Sequence, residues 1–343
     1  MKKKRNSISI LIPCHNEEKS IRKCVESCLN QTRPADEIVV VDDDSTDSSL
    51  KILKSFGKKI KVVSVKKRLG NKSFAQEHGL KFVTGEIFIA TDGDTVLSDN
   101  FVERVAKSFQ DKKVVAFSGY VKSLRHNWLT ALREIDYTIG QKLHKLAQSY
   151  LNSLFVIPGC AGAFRTDIFK KYISFDHDTL TEDLDFTYKL HENKFKIVYD
   201  RQAIVYTQDP ADLRSYIKQM RRWYSGGWQN LVKHFRPALK RPKNFFELSL
   251  IYVEGFAFSV LLFIGPIISL KVYLTLMTPY FLIIIGLGVY ASLVSKRIDL
   301  VFYSPLYMIL IFINAGVFMG EFVKEVILKK KNTTWVFAER RVI

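Results

Sequence analysis

Three apolar runs, at roughly 248–270, 272–294 and 300–323, follow one another near the end of this 343-residue chain. Each has about the 20 residues an α-helix needs to cross the hydrocarbon core of a bilayer. Glu254 and Lys271 are the clear charges of these runs. Three such runs in series argue for membrane segments over the buried helical core of a soluble protein. Pro266, Pro279 and Pro305 give each run a point where its helix can break. Three full crossings would carry the tail Lys329-Lys330-Lys331…Arg340-Arg341 away from the first domain, against the tendency of Lys and Arg to stay inside. The expectation is therefore two or three spans, with one segment interfacial or re-entrant, or else a tail that is external.

Charge places the membrane-facing side. From Leu213 to Phe246 there is no Asp or Glu, and the stretch holds nine basic residues: Arg214, Lys218, Arg221, Arg222, Lys233, Arg236, Lys240, Arg241 and Lys243. With a net charge of +18, this pattern points to anionic lipid. Nucleic acid is not expected as a partner, since there is no zinc finger, RNA-recognition signature or basic-aromatic repeat. The reading is a multi-pass protein of the cell membrane with its first domain in the cytoplasm. The four cysteines fit a reducing compartment, and Cys24/Cys28 has no second pair to complete a zinc site. Met1–Arg5 and the short apolar run that meets Pro13 are not read as a signal peptide.

The first part of the chain alternates strand and helix patterns. Ser7–Ile12, Glu37–Val41, Lys61–Val65 and Ile87–Ala90 read as strands. Glu17–Asn30, Ser45–Phe56 (with Ser45 or Thr46 as N-cap) and Ser73–Val83 read as helices. The order β-α-β-α-β-α-β implies right-handed crossovers and a mostly parallel central sheet, hence an α/β fold. Ligands of such sheets sit beyond the carboxyl ends of the strands. Two acidic clusters lie there: Asp42-Asp43-Asp44 and Asp92-Gly93-Asp94. No Gly-rich GxGxxG or Walker loop is present, which weighs against dehydrogenase and NTPase readings.

Three motifs carry chemistry. Asp92 and Asp94 can face one hard cation whose shell diphosphate oxygens complete. Thr181-Glu182-Asp183 offers a general base, Asp183 or Glu182, or else merely the capped first turn of a helix over Leu184–Leu190. Gln219, Arg222 and Trp223 share one helix face by their spacing. Arg222 can fork onto a diphosphate and Trp223 can offer its indole to a sugar ring. The same helix also reads as a basic amphipathic element lying on a membrane.

The ordered set Ile12–Glu18, Val41–Asp47, Thr91–Asp94, Thr181–Asp183 and Gln219–Trp223 resembles family 2 glycosyltransferases of GT-A fold. It is most similar to their membrane-embedded processive branch, the hyaluronan, chitin, cellulose and poly-N-acetylglucosamine synthases. The resemblance covers roughly residues 7–225, and the apolar end of the chain fits it too. Pro158–Arg165 resembles the small-residue acceptor strip, and Trp335…Arg340/Arg341 the gating loop, of these enzymes.

The resemblance implies roles. Glu17 and Asp43 would contact the nucleoside of a UDP-sugar donor, with Lys72 and Asp92 also at the nucleotide. Asp92 and Asp94 would hold Mg2+ or Mn2+. Asp183 would be the base, and Gln219, Arg222 and Trp223 would bound the diphosphate and the acceptor sugar. Asp44 stands where the family usually has Gly, and Glu77 where it usually has Asn. The pair of N-terminal membrane helices found in many such synthases does not precede the first strand, which bears on a self-sufficient polymer channel. The expected division is a GT-A domain over 1–212, a basic amphipathic interface region over 213–246, a membrane region over 247–327 and a basic tail over 328–343. The expected function is inverting transfer from a UDP-sugar, UDP-N-acetylglucosamine being the first candidate, to a growing β-linked polysaccharide. The alternative acceptor is a lipid, diacylglycerol or a polyprenyl phosphate.

Overall fold

A computed structural model describes residues 6–239 and 242–332. One sheet holds eight strands: β1 (Ile8–Cys14), β2 (Glu37–Asp43), β3 (Lys61–Val65), β4 (Ile87–Ala90), β5 (Val96–Leu97), β6 (Val114–Ser123), β7 (Gly162–Arg165) and β8 (Lys196–Thr207). Their order is β3-β2-β1-β4-β7-β6-β8-β5. The first four pair in parallel, as their alternation with helices predicts. Beyond them β7 runs antiparallel to both β4 and β6, while β8 is parallel to β6 and antiparallel to β5. The sheet is thus mixed, with its parallel character concentrated in the strands that end at the acidic loops.

Strand periodicity assigns the two cores. Ile8, Ile10, Ile12, Ile38, Val40, Ile87 and Ile89 fall on one face. Leu11, Val39, Val41, Phe88 and Ala90 fall on the other. Both sets are buried, which explains why these strands read as continuous apolar runs. On the first face the helix Ile21–Leu29 packs through Ile21, Cys24, Val25 and Cys28, a spacing of one helical stripe. The Cys24/Cys28 pair is therefore core, and both thiols are free. On the second face lie the helices Lys72–Leu80 and Glu182–Glu192. A Cβ on Gly79 would come within 2.5 Å of Leu11 Cδ1 and Val41 Cγ2, so glycine there lets the Lys72–Leu80 helix lie close on the sheet.

One local expectation fails. No helix starts at Ser45 or Thr46; the helix is Ser49–Lys54, and Asp47 Oδ1 accepts from Ser49 N at 2.9 Å. The preceding residues bind the β1 loop instead: Asn16 N donates to Ser45 Oγ at 3.1 Å, and Thr46 N to Asn16 Oδ1 at 2.8 Å. Asn16 and Asp44 both hold left-handed backbone, with φ of 56° and 57°. Asp44 thus occupies a conformation that glycine adopts freely and that Asp or Asn tolerate better than other residues.

The C-terminal region is helical. An interface helix, Leu213–Leu239, leads to the helices Pro242–Ile268 and Leu270–Ser295. A third apolar segment follows as Asp299–Tyr303, a 3-10 turn Ser304–Leu306 and Tyr307–Phe322. Three segments, Leu250–Ile268, Leu270–Ser295 and Asp299–Ile327, are long and apolar enough to cross a membrane. Pro266 and Pro279 lie inside continuous helices, and of the three prolines it is Pro305 that coincides with a break. The third segment also carries an interior charge besides those noted above, Glu321, which is buried and accepts from Ser225 Oγ at 2.9 Å.

The interface helix packs along this third segment. Tyr216 OH donates to Asn314 Oδ1 at 2.8 Å, and Trp228 Nε1 to Phe318 O at 3.2 Å. Lys233, expected at lipid headgroups, instead contacts Asp176, Asp178 and Asp185 at 2.6–2.7 Å. A second docking element escaped the sequence reading. The helix Trp128–Tyr137, continued by a π-helical stretch Thr138–His144 and by Lys145–Tyr150, meets the apolar C-terminal helices. Glu134 accepts from Ser295 Oγ at 2.9 Å, and Asp136 from Tyr307 OH at 2.8 Å.

Candidate active site

The ends of β1, β2 and β4 open onto a single cavity of about 1160 Å3. From these loops Glu17, Asp43, Asp92 and Asp94 line it; from the flanking helices come Lys72, Asp183, Gln219, Arg222 and Trp223. The five sequence segments singled out above therefore meet in one place.

The loop after β4 is set by Thr95, whose Oγ1 lies 2.7 Å from Thr91 Oγ1 and accepts from Asp92 N at 3.2 Å. This turn brings Asp92 and Asp94 to the cavity, with Asp94 only 4% exposed. At the neighbouring loops, Glu17 Oε2 accepts from Ser20 Oγ at 2.8 Å, and Asp43 Oδ1 from Leu69 N at 2.7 Å.

Lys72 is the first residue of its helix, which Asn71 caps by accepting from Ser73 N and Phe74 N. Its ammonium lies 2.6 Å from Asp92 Oδ1 and 3.1 Å from Glu182 Oε1. Burial disfavours that charge, but Asp92 and Glu182 outweigh it and hold the Lys72 pKa above its ordinary value. A Cβ on Gly159 would come within 2.8 Å of Lys72 Nζ, so the small-residue strip leaves room for this lysine.

Asp183 opens the Glu182–Glu192 helix. Its Oδ1 accepts from Leu184 N at 2.9 Å, and its Oδ2 from Gly159 N at 3.4 Å. Burial and the adjacent Glu182 push its pKa up to about 6, against the pull of Lys72, Arg222 and the Leu184 amide. A carboxylate so placed is ionised at neutral pH yet more basic than an exposed one, which suits proton abstraction. Thr181 does not cap the helix with its side chain. Its Oγ1 accepts from Asn230 Nδ2 at 3.0 Å, tying the acidic motif to the interface helix. A Cβ on Gly226 would come within 2.4 Å of Thr181 Oγ1, so this contact requires glycine.

Gln219, Arg222 and Trp223 reach the cavity, while Tyr216 and Met220 of the same helix are buried against the apolar C-terminal helices. Trp223 is shared between cavity and core. The guanidinium of Arg133, itself buried, lies over its ring at 5.2 Å. Arg133 also pairs with Asp136 and, at 3.3 Å, with Asp209. Glu77 faces away from this chemistry and contacts His177 Nε2 at 3.0 Å.

Two acidic groups compete as cation sites. Asp176, Asp178 and Asp185 bring carboxylate oxygens within 4.8 Å of one another, but Lys233 and Lys189 ammonium groups already sit among them. Asp92 also holds an ammonium, that of Lys72, but it and Asp94 lie at the cavity wall, where their hard oxygens fit a divalent ion together with diphosphate.

Sequence reasoning missed several lining residues. Ile251 and Glu254 bring the first apolar helix to the cavity, and Lys145 enters from the element after Trp128. Glu254 had a signal, being a charge within an apolar run. Lys145 had none, and neither had Arg133, which supports the Trp223 ring from the core. Trp335, Arg340 and Arg341 lie outside the described residues.

The model of the family described as glycosyl transferase family 2 matches residues 9–173. Over 240 residues the chain is 28% identical to the poly-beta-1,6-N-acetyl-D-glucosamine synthase of Staphylococcus epidermidis, covering 69% of this chain and 58% of that protein. Over 255 residues it is 26% identical to the hyaluronan synthase of Streptococcus pyogenes, covering 68% and 60%. The chain thus spans less than two thirds of these relatives' length. A mannosyltransferase of Pyrobaculum calidifontis, solved with GDP-Man and Mn2+, shares the fold at a TM-score of 0.65 and 18% identity, over 96% of this chain and 89% of that one. S. aureus TarS 1-349 with UDP does so at 0.52 and 20%, over 94% and 91%. The GT-A architecture, the five motifs drawn into one cavity and the match over residues 9–173 make this chain similar to the family 2 glycosyltransferases.

Proposed function

We propose that the protein transfers a sugar from a UDP-sugar, UDP-N-acetylglucosamine first among the candidates, to a growing β-linked polysaccharide at a membrane, with inversion at the anomeric carbon. The observation that carries this reading is the continuity of the cavity. Its lining runs from the acidic strand ends through Asp183 and Trp223 to Ile251 and Glu254 of the first apolar helix. Product leaving the base therefore meets the membrane region directly. The polysaccharide synthases among the relatives support the same choice.

In the proposed reaction the acceptor hydroxyl gives its proton to Asp183, and its oxygen forms a bond to the anomeric carbon. The bond from that carbon to the β-phosphate oxygen breaks, and UDP departs. Arg222 and Lys72 meet the negative charge that grows on the leaving diphosphate. Glu17 and Asp43 hold the nucleoside by accepting hydrogen bonds, and Gln219 and Trp223 place the acceptor sugar. A Mg2+ or Mn2+ ion held by Asp92 and Asp94 would supply further charge neutralisation at the diphosphate.

The division at 212, 246 and 327 belongs to the same proposal, with the catalytic domain on the cytoplasmic side. The helices Pro242–Ile268 and Leu270–Ser295, at about 1.5 Å per residue, each exceed the roughly 30 Å core of a bilayer and form the crossing pair. Both ends of the third segment stay with the catalytic side. Asp299 pairs with Arg125 at 3.7 Å, and Gln229 Nε2 donates to Asn332 O at 2.8 Å. On this reading the third segment does not cross, and Lys329–Lys331 lie on the catalytic side, in keeping with the positive-inside tendency.

The test is a donor screen with the full chain in detergent, using UDP- and GDP-sugars with released nucleotide and product length as readouts. Release of UDP with long product supports the reading. Release with only a single sugar added to lipid overturns the polymer.

A further inference from the structure

Among the described residues, Lys145 is the one buried lysine of the cavity whose charge the reaction above does not use. Its side chain is 5% exposed and lines the cavity. Its ammonium donates to Ser118 Oγ at 3.2 Å and lies 5.6 Å from the Tyr199 ring. Among the described residues no carboxylate pairs with it, in contrast to Lys72, which holds two. Burial of an ammonium without a counter-ion is costly, and here it pulls the pKa down to about 7, only weakly opposed by Cys160 and Asp183.

The local backbone is built to place this group. The π-helical stretch Thr138–His144 runs directly into Lys145, and π-turns of this kind occur often at functional sites. Within it Gln141 accepts from Val121 N and donates to Val121 O, both at 2.9 Å, which fixes the turn on β6. Ser118, the partner of Lys145, lies on the same strand.

Position decides which substrate the lysine meets. The cation side of the cavity, at Asp92, is taken by Lys72. Lys145 shares the cavity wall with Asp183, the proposed base, and with Cys160 of the Pro158–Arg165 strip, and these are the two groups whose charge acts on it. We infer that Lys145, held in place by Ser118, forms an anion subsite on the acceptor side of the cavity, one that takes a carboxylate or phosphate group carried by the acceptor. This rests on the reading of Asp183 as the base. A uronic sugar and a lipid phosphate both supply such a group.

The experiment measures binding and not transfer, so it stays readable if no polymer is made. The full chain in nanodiscs, saturated with UDP, is titrated calorimetrically with a glucuronate-terminated disaccharide, with farnesyl phosphate and with di-N-acetylchitobiose. The expected result is that one of the two anions binds at least about tenfold tighter than the neutral disaccharide. Lys145→Met should remove that excess and Lys145→Arg should keep most of it. UDP affinity, which also reports folding, should hold in both variants. Preference for the glucuronate names a uronic polymer as the source, and preference for farnesyl phosphate a lipid. Equal binding of all three probes overturns the inference. So does an anion preference that survives Lys145→Met, or loss of UDP affinity in both variants.

Discussion

Lys72 Nζ rests 2.6 Å from Asp92 Oδ1, so the ammonium occupies one carboxylate of the pair proposed to hold a cation. On the proposed reading, donor binding would loosen this pair and free Lys72 to face the phosphates. Chelation with EDTA should abolish transfer, and Mg2+ or Mn2+ should restore it. Asp94→Ala should not be rescued by excess metal. Full nucleotide release in EDTA would remove the cation from Asp92 and Asp94.

Replacing Lys72 by Met leaves Asp92 and Glu182 without their shared cation. The expected cost is about 2 kcal/mol of stability, between the values for exposed and fully buried pairs, together with a raised donor KM. Thermal melting and donor titration check both. An unchanged donor KM would confine Lys72 to a structural role.

The base is tested by substitution and by pH. Asp183→Asn should lose roughly 10²–10⁴-fold in turnover while UDP affinity stays near wild type. The active form is the carboxylate, and its pKa is raised to about 6. Activity should therefore be full at pH 7.5 and fall as pH drops through about 6, an acid limb that lies well above the ordinary carboxylate range. Retention of more than about a tenth of the activity in the Asn variant moves the role to Glu182.

Gly226 transmits the interface helix to the acidic motif. Gly226→Ala adds a methyl that would sit 2.4 Å from Thr181 Oγ1. Transfer should drop at least about tenfold with UDP affinity retained, since a small displacement of reacting groups is enough for such losses. Wild-type rates in this variant would show that the helix can shift without consequence.

Trp223 and Arg133 should behave as a pair. Trp223→Ala removes the ring beneath a buried guanidinium as well as a sugar platform. It should shorten product far more than it weakens UDP binding, and Trp223→Phe should restore stability ahead of product length. Identical losses in the two variants would leave packing as the only role of the indole.

His234 provides a stability signature. It contacts Asp185 at 2.9 Å and Glu192 at 2.6 Å. Burial opposes its protonation, but these two carboxylates outweigh it and raise its pKa above 6.5. A raised histidine stabilises fully below the unfolded value and loses that contribution as pH rises through the folded one. Asp185, held well below the usual carboxylate range despite burial, by His234 and the two lysines, stays ionised throughout that window. The melting temperature in detergent should thus decline from pH 6 to pH 9, and His234→Gln should flatten the slope. An equal slope in the variant assigns the decline elsewhere.

What was legible in the sequence was local. The runs Ile38–Val41 and Ile87–Ala90 carry their own periodicity and punctuation, so the parallel strands and the acidic loops at their ends could be placed without coordinates. The apolar helices likewise announce themselves by length, because bilayer thickness sets a scale that composition must meet. The motif residues were found for the same reason: each short segment is self-describing.

Tertiary structure decided everything that depends on which segments meet. Only packing shows that Lys72 bridges Asp92 and Glu182, residues 20 and 110 positions away in the chain. Only packing turns Lys233 from a headgroup-facing charge into the cation of an aspartate cluster, because its partners arrive from a different helix and loop. The burial of Lys145 is of the same kind. Its cost and its low pKa arise from surrounding atoms contributed by β6, β8 and the Pro158–Arg165 strip, and no pattern within Gln141–Gln148 records them. Periodicity is a property of one segment, whereas desolvation and ion pairing are properties of the neighbours that the fold supplies.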